Sequence, residues 1–589
     1  MKSVAFSNND IAVVAWSFDG TIKDCLGFAI YRIDTATGTQ TCLPALATFK
    51  GQDPTAHRTT EQDPVQKFFW KDLTAKRGGS YQYKIVPMGG APGSLQPLLI
   101  APLTSNIVKI SPDYGTLSAY FNRGILATQA TARALHDDDD LTKMAQEVTQ
   151  RIANLDDPLR ANLAGDMIEA MTALPTEAAQ HNGKVYCALY EFEDTQLIGA
   201  LTPLAGNANV ILSNMPGKVD DASTNDVYAP ERAQAHQAGV NVTDRMMPGG
   251  HIGHNKFTIL DVNGPAAVQF GSTNWTDRAL CAQSNNSIIA RSPKMAAAYM
   301  DYWNRLKADT DAAGGKGKQA ATLRDADANG PVSIELEDGS GTVDLWFSPN
   351  TEHVRAKKHD GEAVPPDLAE VFALIAAAKQ AILFVAFEPG SPSIIEEIAK
   401  AQNANADLFV RGTVTVSKAA DAFAVAIKSD AAKGDKTGSD LPQEKVPEDY
   451  RVIPATGVKD PIGVWERELN KIGFAVTHSK LIVIDPFSDN CVVVTGSHNL
   501  GYQASYNNDE NMAIIKGHRA LAQAYAANAL DIYDHYAWRW WLAKNANDAW
   551  TSLASDDSWQ DHYFDKQGNP VSAELKFWLA ASDSLVVDA

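Results

Sequence analysis

The sequence predicts an α/β protein built from two similar halves, preceded by a separate all-β region. Three observations support this fold class. Short apolar segments punctuated by Gly and Pro fill the chain up to about residue 112. Beyond that point, helical and strand-like segments alternate. A short histidine-lysine motif then occurs twice, 224 residues apart, which is about the length of one domain.

The all-β prediction covers residues 1–112. Segments 11–16 and 28–33 have the length and apolar character of short strands, and segment 81–87 alternates with period two. Short strands at this spacing are typical of a β-sandwich. Trp16, the pair Phe69-Trp70 and the pattern Tyr81-x-Tyr83 resemble a fibronectin type III module. That resemblance implies packing or binding rather than catalysis.

The α/β pattern begins at about residue 113. Helices are predicted at 125–135 and 144–174, the second interrupted at Pro158, and the segments 184–190 and 209–213 enclose a helix near 195–205. Strand, helix and strand with short connections predict βαβ units and parallel pairing. Polar residues 308–331 lack apolar periodicity and predict a flexible linker.

After that linker the same alternation starts again. A polar insertion is predicted at 429–447, and a helical, aromatic-rich tail from about 519. The predicted domains are therefore an all-β sandwich, two α/β halves and a C-terminal extension, at residues 1–112, 113–330, 331–545 and 546–589.

Composition narrows the function classes. The net charge of −20 disfavours a non-specific nucleic-acid binder and an anionic membrane surface as partner. No apolar run has the length of a membrane span, and the N-terminus lacks the apolar core of a secretory signal. The five cysteines are scattered without zinc-site or disulfide spacing. We expect reduced, buried thiols, and a protein that is cytoplasmic or exported without a classical signal peptide.

The repeated motif carries the chemistry. Each copy reads H-x-K-x4-D, followed after nine or ten residues by G-S-x-N. The first copy supplies one set of five polar residues: His254, Lys256, Asp261, Ser272 and Asn274. The second copy supplies the matching set: His478, Lys480, Asp485, Ser497 and Asn499.

The spacing of these residues suits a phosphate group. Residues two apart on a strand face the same side, so each His points with its Lys, and each Ser with its Asn. A lysine neutralises phosphate, while hydroxyl and amide groups donate hydrogen bonds to its oxygens. Asp261 and Asp485 stand at an odd offset from the histidines and are predicted to have structural or orienting roles.

The two motifs resemble the HKD motif of the phospholipase D superfamily. The second copy continues with Asn508 to Asn511, which resembles the N-x-E extension of that family through Glu510. The first copy has Gln283 to Asn286 at this offset and no carboxylate. The resemblance covers residues 113–545. It implies mixed sheets flanked by helices, with two halves forming a pseudo-dimer around one active site.

The resemblance also implies a two-step mechanism through a phosphohistidine, with one ring neutral and the other charged at the start. Analogy favours His254 as the nucleophile and His478 as the acid and base. Glu510, close in sequence to the second motif, is expected to orient His478. Two lysines provide the charge that a metal would otherwise supply, so no metal or other cofactor is expected.

Three further features have simpler interpretations. His251 precedes the first motif by three residues, but without a third ligand it predicts a loop residue rather than a metal ligand. His498 lies within the second G-S-x-N and points away from its neighbours, which predicts a structural role. The aromatic run at 533–541 predicts a helix packed on the core rather than an interfacial membrane anchor.

The sequence leaves several functions open. The preferred hypothesis is cleavage of a phospholipid headgroup, with transfer to an alcohol as a competing outcome. The alternatives are a nuclease or other soluble-diester hydrolase, a cardiolipin synthase-like transferase and a catalytically inactive binding module. Intact His and Lys in both copies argue against the last. The expected partner is a phospholipid, contacted transiently at a membrane or micelle by a monomer, with nucleic acid disfavoured.

Overall fold

The structure is a computed structural model of the 589-residue chain. It describes residues 2–53, 57–124, 141–214, 226–355, 362–433, 451–455, 476–544 and 552–584. The helix expected at 125–135 lies outside these residues, as does most of the insertion expected at 429–447.

The first half is built on an eight-stranded sheet. Its strands, in chain order, are β10 (Asp113–Tyr114), β11 (Leu117–Phe121), β12 (Lys184–Leu189), β13 (Ala208–Leu212), β14 (Asn241–Asp244), β15 (Lys256–Asp261), β16 (Pro265–Gly271) and β17 (Asn286–Ala290). Their spatial order is β10-β11-β17-β16-β15-β12-β13-β14. Only β12, β13 and β14 pair in parallel, and the other neighbours are antiparallel.

The second half repeats this sheet. Its strands are β18 (Val332–Glu335), β19 (Thr342–Ser348), β20 (Ala381–Ala386), β21 (Phe409–Val414), β22 (Val452–Pro454), β23 (Leu481–Ile484), β24 (Val492–Gly496) and β25 (Glu510–Lys516). The spatial order, β18-β19-β25-β24-β23-β20-β21-β22, matches the first sheet strand for strand. Parallel pairing is again confined to the last three strands, β20, β21 and β22. The sheets are therefore mixed, as the resemblance implied.

Helices flank both sheets. In the first half they are α1 (Leu141–Ala153), α2 (Pro158–Ala164), α3 (Met167–Gln180), α4 (Thr195–Leu201), α5 (Ala229–Gln237), α6 (Asp277–Cys281), α7 (Pro293–Ala312) and α8 (Ala321–Ala328). In the second half and beyond they are α9 (Pro366–Ala377), α10 (Ile394–Ala404), α11 (Ser417–Lys433), α12 (Tyr502–Asn507), α13 (Arg519–Lys544) and α14 (Ala573–Ser584). Pro158 starts α2, in agreement with the predicted interruption.

The predicted flexible linker at 308–331 is wrong. α7 continues to Ala312, and α8 follows after a short connection. Several charged residues of this segment are buried in ion pairs, among them Asp309 with Arg245 and Asp327 with Arg305. Buried charges of this kind lack apolar periodicity, which is why the sequence pattern indicated an exposed linker.

One hydrophobic core joins the two halves. Alternate residues of each central strand face opposite sides of its sheet. Phe257 and Ile259 of β15 point into the same core as Leu481 and Val483 of β23, whereas Leu260 and Ile482 point to the outer core of their own half. This shared core fixes the two sheets against each other, and with them the two motifs.

The N-terminal region holds two antiparallel sheets. β1 (Lys2–Ser7), β2 (Ala12–Ser17) and β5 (Phe69–Asp72) form the first, and the second contains β3 (Gly27–Asp34), β4 (Gln40–Cys42), β6 (Ser80–Ala91), β7 (Ser94–Pro97), β8 (Leu103–Thr104) and β9 (Val108–Lys109). The strands predicted at 11–16, 28–33 and 81–87 correspond to β2, β3 and β6. A fibronectin-like sandwich stays a prediction.

The C-terminal residues complete the core of this N-terminal region. Trp559 packs against Phe28 and Phe68, and its indole nitrogen donates to the Cys25 carbonyl at 2.8 Å. Tyr563, Phe564 and Leu575 join the same buried cluster as Trp16. The two ends of the described chain therefore share one core.

The aromatic tail packs as expected in its described part. Tyr525 and Tyr536 of α13 are buried in the core that joins the halves. Within the described residues, no helix combines the length and apolarity that crossing a membrane requires.

Candidate active site

Two equivalent strands carry the histidine-lysine pairs. Lys256 is the first residue of β15, and Lys480 immediately precedes β23. All four side chains are buried, with His254 at 4% exposure and His478 at 5%. Each lysine turns back on its own motif, since Lys256 Nζ donates to the His254 carbonyl at 2.6 Å and Lys480 Nζ to the His478 carbonyl at 2.7 Å. The structure brings the four predicted residues into one buried electrostatic cluster.

Glu510 contacts His254, not His478. His254 Nδ1 donates to both carboxylate oxygens of Glu510, at 2.8 and 3.0 Å. The expected pairing of Glu510 with His478 is therefore wrong. The prediction relied on closeness in sequence. In the structure the two halves face each other, and the histidine of each motif contacts a residue that follows the motif of the other half.

Asn285 is the partner of His478. His478 Nδ1 lies 2.9 Å from Asn285 Oδ1, so the ring donates to the amide oxygen. Asn285 stands thirteen residues after Ser272, as Glu510 stands thirteen residues after Ser497. The two positions are equivalent, and each half therefore orients the histidine of the other. The two side chains differ by one methylene and in charge, with a carboxylate behind His254 and a neutral amide behind His478.

The two motif serines hold these partners in place. Ser272 Oγ donates to Asn285 Oδ1 at 2.8 Å, and Ser497 Oγ donates to Glu510 Oε2 at 2.7 Å. Both hydroxyls are completely buried. We predicted that these serines bind phosphate, but in this structure their hydrogen atoms are directed at the side chains that orient the histidines.

The motif asparagines remain the candidates for phosphate contact. Asn274 Nδ2 donates to Glu191 Oε2 at 2.6 Å, and the amide oxygens of Asn274 and Asn499 accept no hydrogen bond from the described residues. Glu191 follows β12, and Glu388 takes the equivalent position after β20. Neither glutamate was predicted from the sequence, although both stand two residues past an apolar strand that leads towards a motif.

Burial dominates the electrostatics of the site. It lowers the pKa of His254 to about 4, against the opposing effect of Glu510, and that of Lys256 to about 7. Burial and the charge of Lys480 lower the pKa of His478 well below its ordinary value. Both rings are therefore neutral near pH 7 before substrate binds.

Glu510 itself is ionised. Burial alone would raise its pKa, but the adjacent His254 and its hydrogen bond bring that pKa below the ordinary value. An ionised carboxylate only accepts hydrogen bonds, so the proton of His254 sits on Nδ1. Nε2 of His254 then carries the free lone pair.

Aromatic rings close the site at equivalent places. Tyr190 meets the His254 ring edge-on at 5.1 Å, and Phe387 meets the His478 ring at 4.9 Å. Each lysine ammonium also lies 5.1 Å from the centre of the same ring. These contacts shield the basic groups from water, which is the physical origin of their lowered pKa values.

The remaining motif residues have structural contacts. Asp485 accepts three backbone N–H groups, from Lys379, Gln380 and Ala381, at 2.7 to 2.9 Å. Asp261 accepts one, from Gly264 at 2.8 Å, within the β15–β16 turn. Among the contacts of the described residues, neither carboxylate meets a motif histidine, and the structural or orienting roles expected of Asp261 and Asp485 stay predictions.

Two other histidines also have structural contacts. His251 Nδ1 lies 2.8 Å from Gln319 Oε1 and 2.9 Å from the Asn507 carbonyl. His498 is buried, with Nε2 3.0 Å from Ser505 Oγ. Among the described residues, no three His, Cys, Asp or Glu side chains are grouped to hold a metal ion.

Two segments of the chain, 177–307 and 371–531, match the family described as "Cardiolipin synthase, PLD-like domain". The two segments contain one motif each. The sequence matches no curated protein at a significant level.

Several solved structures are similar. Phosphatidylserine synthase from Haemophilus influenzae Rd KW20 is 10% identical, covers 72% of this chain and 93% of its own, and has a TM-score of 0.42. Yeast tyrosyl-DNA phosphodiesterase is 12% identical over 58% and 84% of the two chains, with a TM-score of 0.31. Nuc from Salmonella typhimurium, a phospholipase D family member, is 18% identical over 33% of this chain and 94% of its own, with a TM-score of 0.21. With the family match and the paired histidine-lysine motifs, the chain carries a phospholipase D-like domain in two segments, one in each half.

Proposed function

We propose that this protein is a phospholipase D-like phosphodiesterase that cleaves a phospholipid headgroup through a phosphohistidine, with transfer to an alcohol competing with hydrolysis. One observation carries the proposal. Two buried imidazoles, each held through Nδ1 by a side chain of the opposite half, stand in one cluster with two lysines. Both Nε2 atoms are thereby left for chemistry at one phosphorus.

His254 is the proposed nucleophile. When its Nε2 attacks phosphorus, the ring becomes positively charged, and the Glu510 carboxylate behind Nδ1 stabilises that charge. The neutral amide of Asn285 gives His478 no such stabilisation. His478 therefore releases a proton more readily and suits the role of acid and base.

The proposed reaction has two steps. In the first, a bond forms between His254 Nε2 and phosphorus, the bond to the headgroup oxygen breaks, and His478 gives its proton to that oxygen. In the second, His478 takes a proton from water or an alcohol, whose oxygen displaces His254. His478 must be protonated at the start, and the negative diester between Lys256 and Lys480 raises its pKa towards that state. The lysine ammonium groups and N–H groups of Asn274 Nδ2 and Asn499 Nδ2 donate to the non-bridging oxygens.

The surroundings of the site favour a zwitterionic lipid over nucleic acid. A cavity of about 220 Å³ opens beside the second motif, lined by Gly250, Ile252, Glu388, Pro389, Asn499, Gly501, Gln503, Ala504 and Asn508. Glu191 and Glu510 act electrostatically on both lysines, and Glu388 acts on Lys480. Further phosphates of a nucleic-acid strand would be repelled here, whereas a cationic headgroup beside Glu388 would be attracted.

The test is incubation of the purified protein with phosphatidylcholine and ethanol in the presence of EDTA. We expect phosphatidic acid and phosphatidylethanol by mass spectrometry, and neither product from His254→Ala or His478→Ala. Phosphatidylethanol is the product expected when ethanol replaces water in the second step. If the folded wild type forms neither product but cleaves single-stranded DNA or RNA, the lipid proposal is wrong and the protein is a nuclease.

A further inference from the structure

Asp509 and its neighbours join the two halves at the back of His254. The backbone N–H of His254 donates to the Asp509 carbonyl at 2.9 Å, and the N–H of Asp509 donates to the Ile252 carbonyl at 2.9 Å. Residue 509 of the second half thus lies alongside residues 252–254 of the first. The next residue is Glu510, whose carboxylate contacts His254 Nδ1.

The buried Arg245 holds the Asp509 side chain at this junction. The Arg245 guanidinium contacts both oxygens of Asp509, with Nε at 2.6 Å and Nη2 at 3.2 Å. Its Nη1 donates to Asp309 Oδ2 and Thr310 Oγ1, both at 2.8 Å. Arg245 and Asp509 are each only 1% exposed. A planar guanidinium contacting a carboxylate through two N–H groups fixes orientation as well as distance.

The other contacts of the two carboxylates are also satisfied. Gln319 Nε2 donates to Asp509 Oδ1 at 2.9 Å, and the backbone N–H groups of Gln319 and Ala320 donate to Asp309 at 2.9 Å. The network therefore runs from the α7–α8 connection, through Arg245, to the strand that carries Glu510. A water-excluded network with this many partners has one preferred geometry.

We infer that Arg245 is a positioning residue, which holds the Glu510 carboxylate on His254 Nδ1 by fixing Asp509 across the junction of the two halves. The inference rests on the proposed function in assigning His254 the nucleophilic role. At the equivalent place behind His478 stands the uncharged Ser284. Its N–H donates to the Val476 carbonyl, its carbonyl accepts from His478 N, and its hydroxyl lies 3.4 Å from Ser479 Oγ. The Arg245–Asp509 ion pair thus lies behind His254, the histidine that has a carboxylate partner.

Arg160 provides a matched control. It is also 1% exposed, and it contacts Asp194 at 2.7 Å and Asp277 at 3.0 Å, both within the first half. Arg245→Lys and Arg160→Lys each shorten a buried arginine and keep its charge. A general loss of stability affects both variants, whereas a loss of Glu510 placement affects only the first.

The kinetic test is a double-mutant cycle with Glu510→Gln. With phosphatidylcholine or bis(p-nitrophenyl) phosphate as substrate, we expect Arg245→Lys to lower kcat about tenfold or more with little change in KM, and Arg160→Lys to leave kcat within about twofold. Adding Arg245→Lys to Glu510→Gln should lower kcat by less than about twofold further, because both changes remove one interaction. Multiplicative losses, or equal losses in the two arginine variants, would overturn the inference. Should Arg245→Lys not fold, Asp509→Asn takes its place in the same cycle.

A second readout needs no turnover. In protein labelled with ¹⁵N at histidine, the Nδ1 proton of His254 should give a strongly downfield resonance, assigned by its absence in His254→Asn. We expect this resonance to shift or disappear in Arg245→Lys and to persist in Arg160→Lys. An unchanged resonance in Arg245→Lys would overturn the inference even if the protein cleaves lipid. A changed resonance supports it even if phosphatidylcholine is not the substrate.

Discussion

Replacing Glu510 by Gln tests the asymmetry of the site. The carboxylate accepts from His254 Nδ1 at 2.8 and 3.0 Å, from Ser497 Oγ at 2.7 Å and from Asn508 Nδ2 at 3.1 Å. All three partners donate hydrogen bonds to the carboxylate. The NH2 group of a Gln side chain is also a donor, so it would face one of these partners without forming a hydrogen bond. The substitution keeps the volume of the side chain but removes its charge and at least one hydrogen bond.

The expected loss can be bounded from these contacts. A hydrogen bond to a charged group contributes about 1.5–3 kcal/mol. This bond strengthens as the His254 ring gains charge, so its loss should appear in kcat as a decrease of about 10- to 150-fold, because about 1.4 kcal/mol corresponds to tenfold. KM should change little, since Glu510 is completely buried behind the ring and does not contact the substrate.

The assay is steady-state hydrolysis of phosphatidylcholine across a range of pH. Glu510 raises the pKa of His254 against the effect of burial, so its removal should move the acid limb of kcat/KM to lower pH. Asn285→Asp is the companion variant, and it should instead move the limb governed by His478 to higher pH. A kcat for Glu510→Gln within twofold of wild type would refute the assignment of His254 as the nucleophile stabilised by Glu510.

Three further predictions concern stability. Burial lowers the pKa of His254 from 6.5 to about 4, so between these pH values the unfolded state binds a proton that the folded state does not. The free energy of unfolding should therefore fall by up to about 3 kcal/mol as pH drops from 6.5 to 4. Urea titrations should show a smaller fall for His254→Asn, and an equal fall in the two proteins would contradict the lowered pKa. Asp485→Ala removes the acceptor of three backbone N–H groups and should lower the free energy of unfolding by about 2–3 kcal/mol, whereas Asp261→Ala, which removes one, should cost about 1 kcal/mol; equal losses would argue against this account. Trp559→Ala should cost about 3–5 kcal/mol by thermal denaturation, and a cost below about 1 kcal/mol would show that the C-terminal packing contributes little.

The sequence predicted most of the architecture around the motifs. Apolar runs after Lys256 and Lys480 indicated buried strands, and the duplicated motif indicated two similar halves, which the matching strand orders of the two sheets confirm. These features are local or periodic, so a single sequence displays them directly.

The contacts between the halves were not predictable in the same way. The partner of each histidine depends on how two sheets dock, and nearness in sequence favoured the wrong assignment for Glu510. Counting residues from the two serines would have identified Asn285 as its counterpart, which is a signal within the sequence. Buried charges were the other source of error, since Asp309 and Asp327 look solvent-exposed until their arginine partners are known.

The shared core of the two chain ends has a consequence for the order of folding. During synthesis, residues such as Phe28 and Phe68 leave the ribosome hundreds of residues before Trp559, which covers them in the native structure. Part of the aromatic surface of the N-terminal sheets therefore stays uncovered until the segment that contains Trp559 has been synthesised. Nascent chains halted before residue 559 should be bound by chaperones at this surface and released once the C-terminal segment has docked.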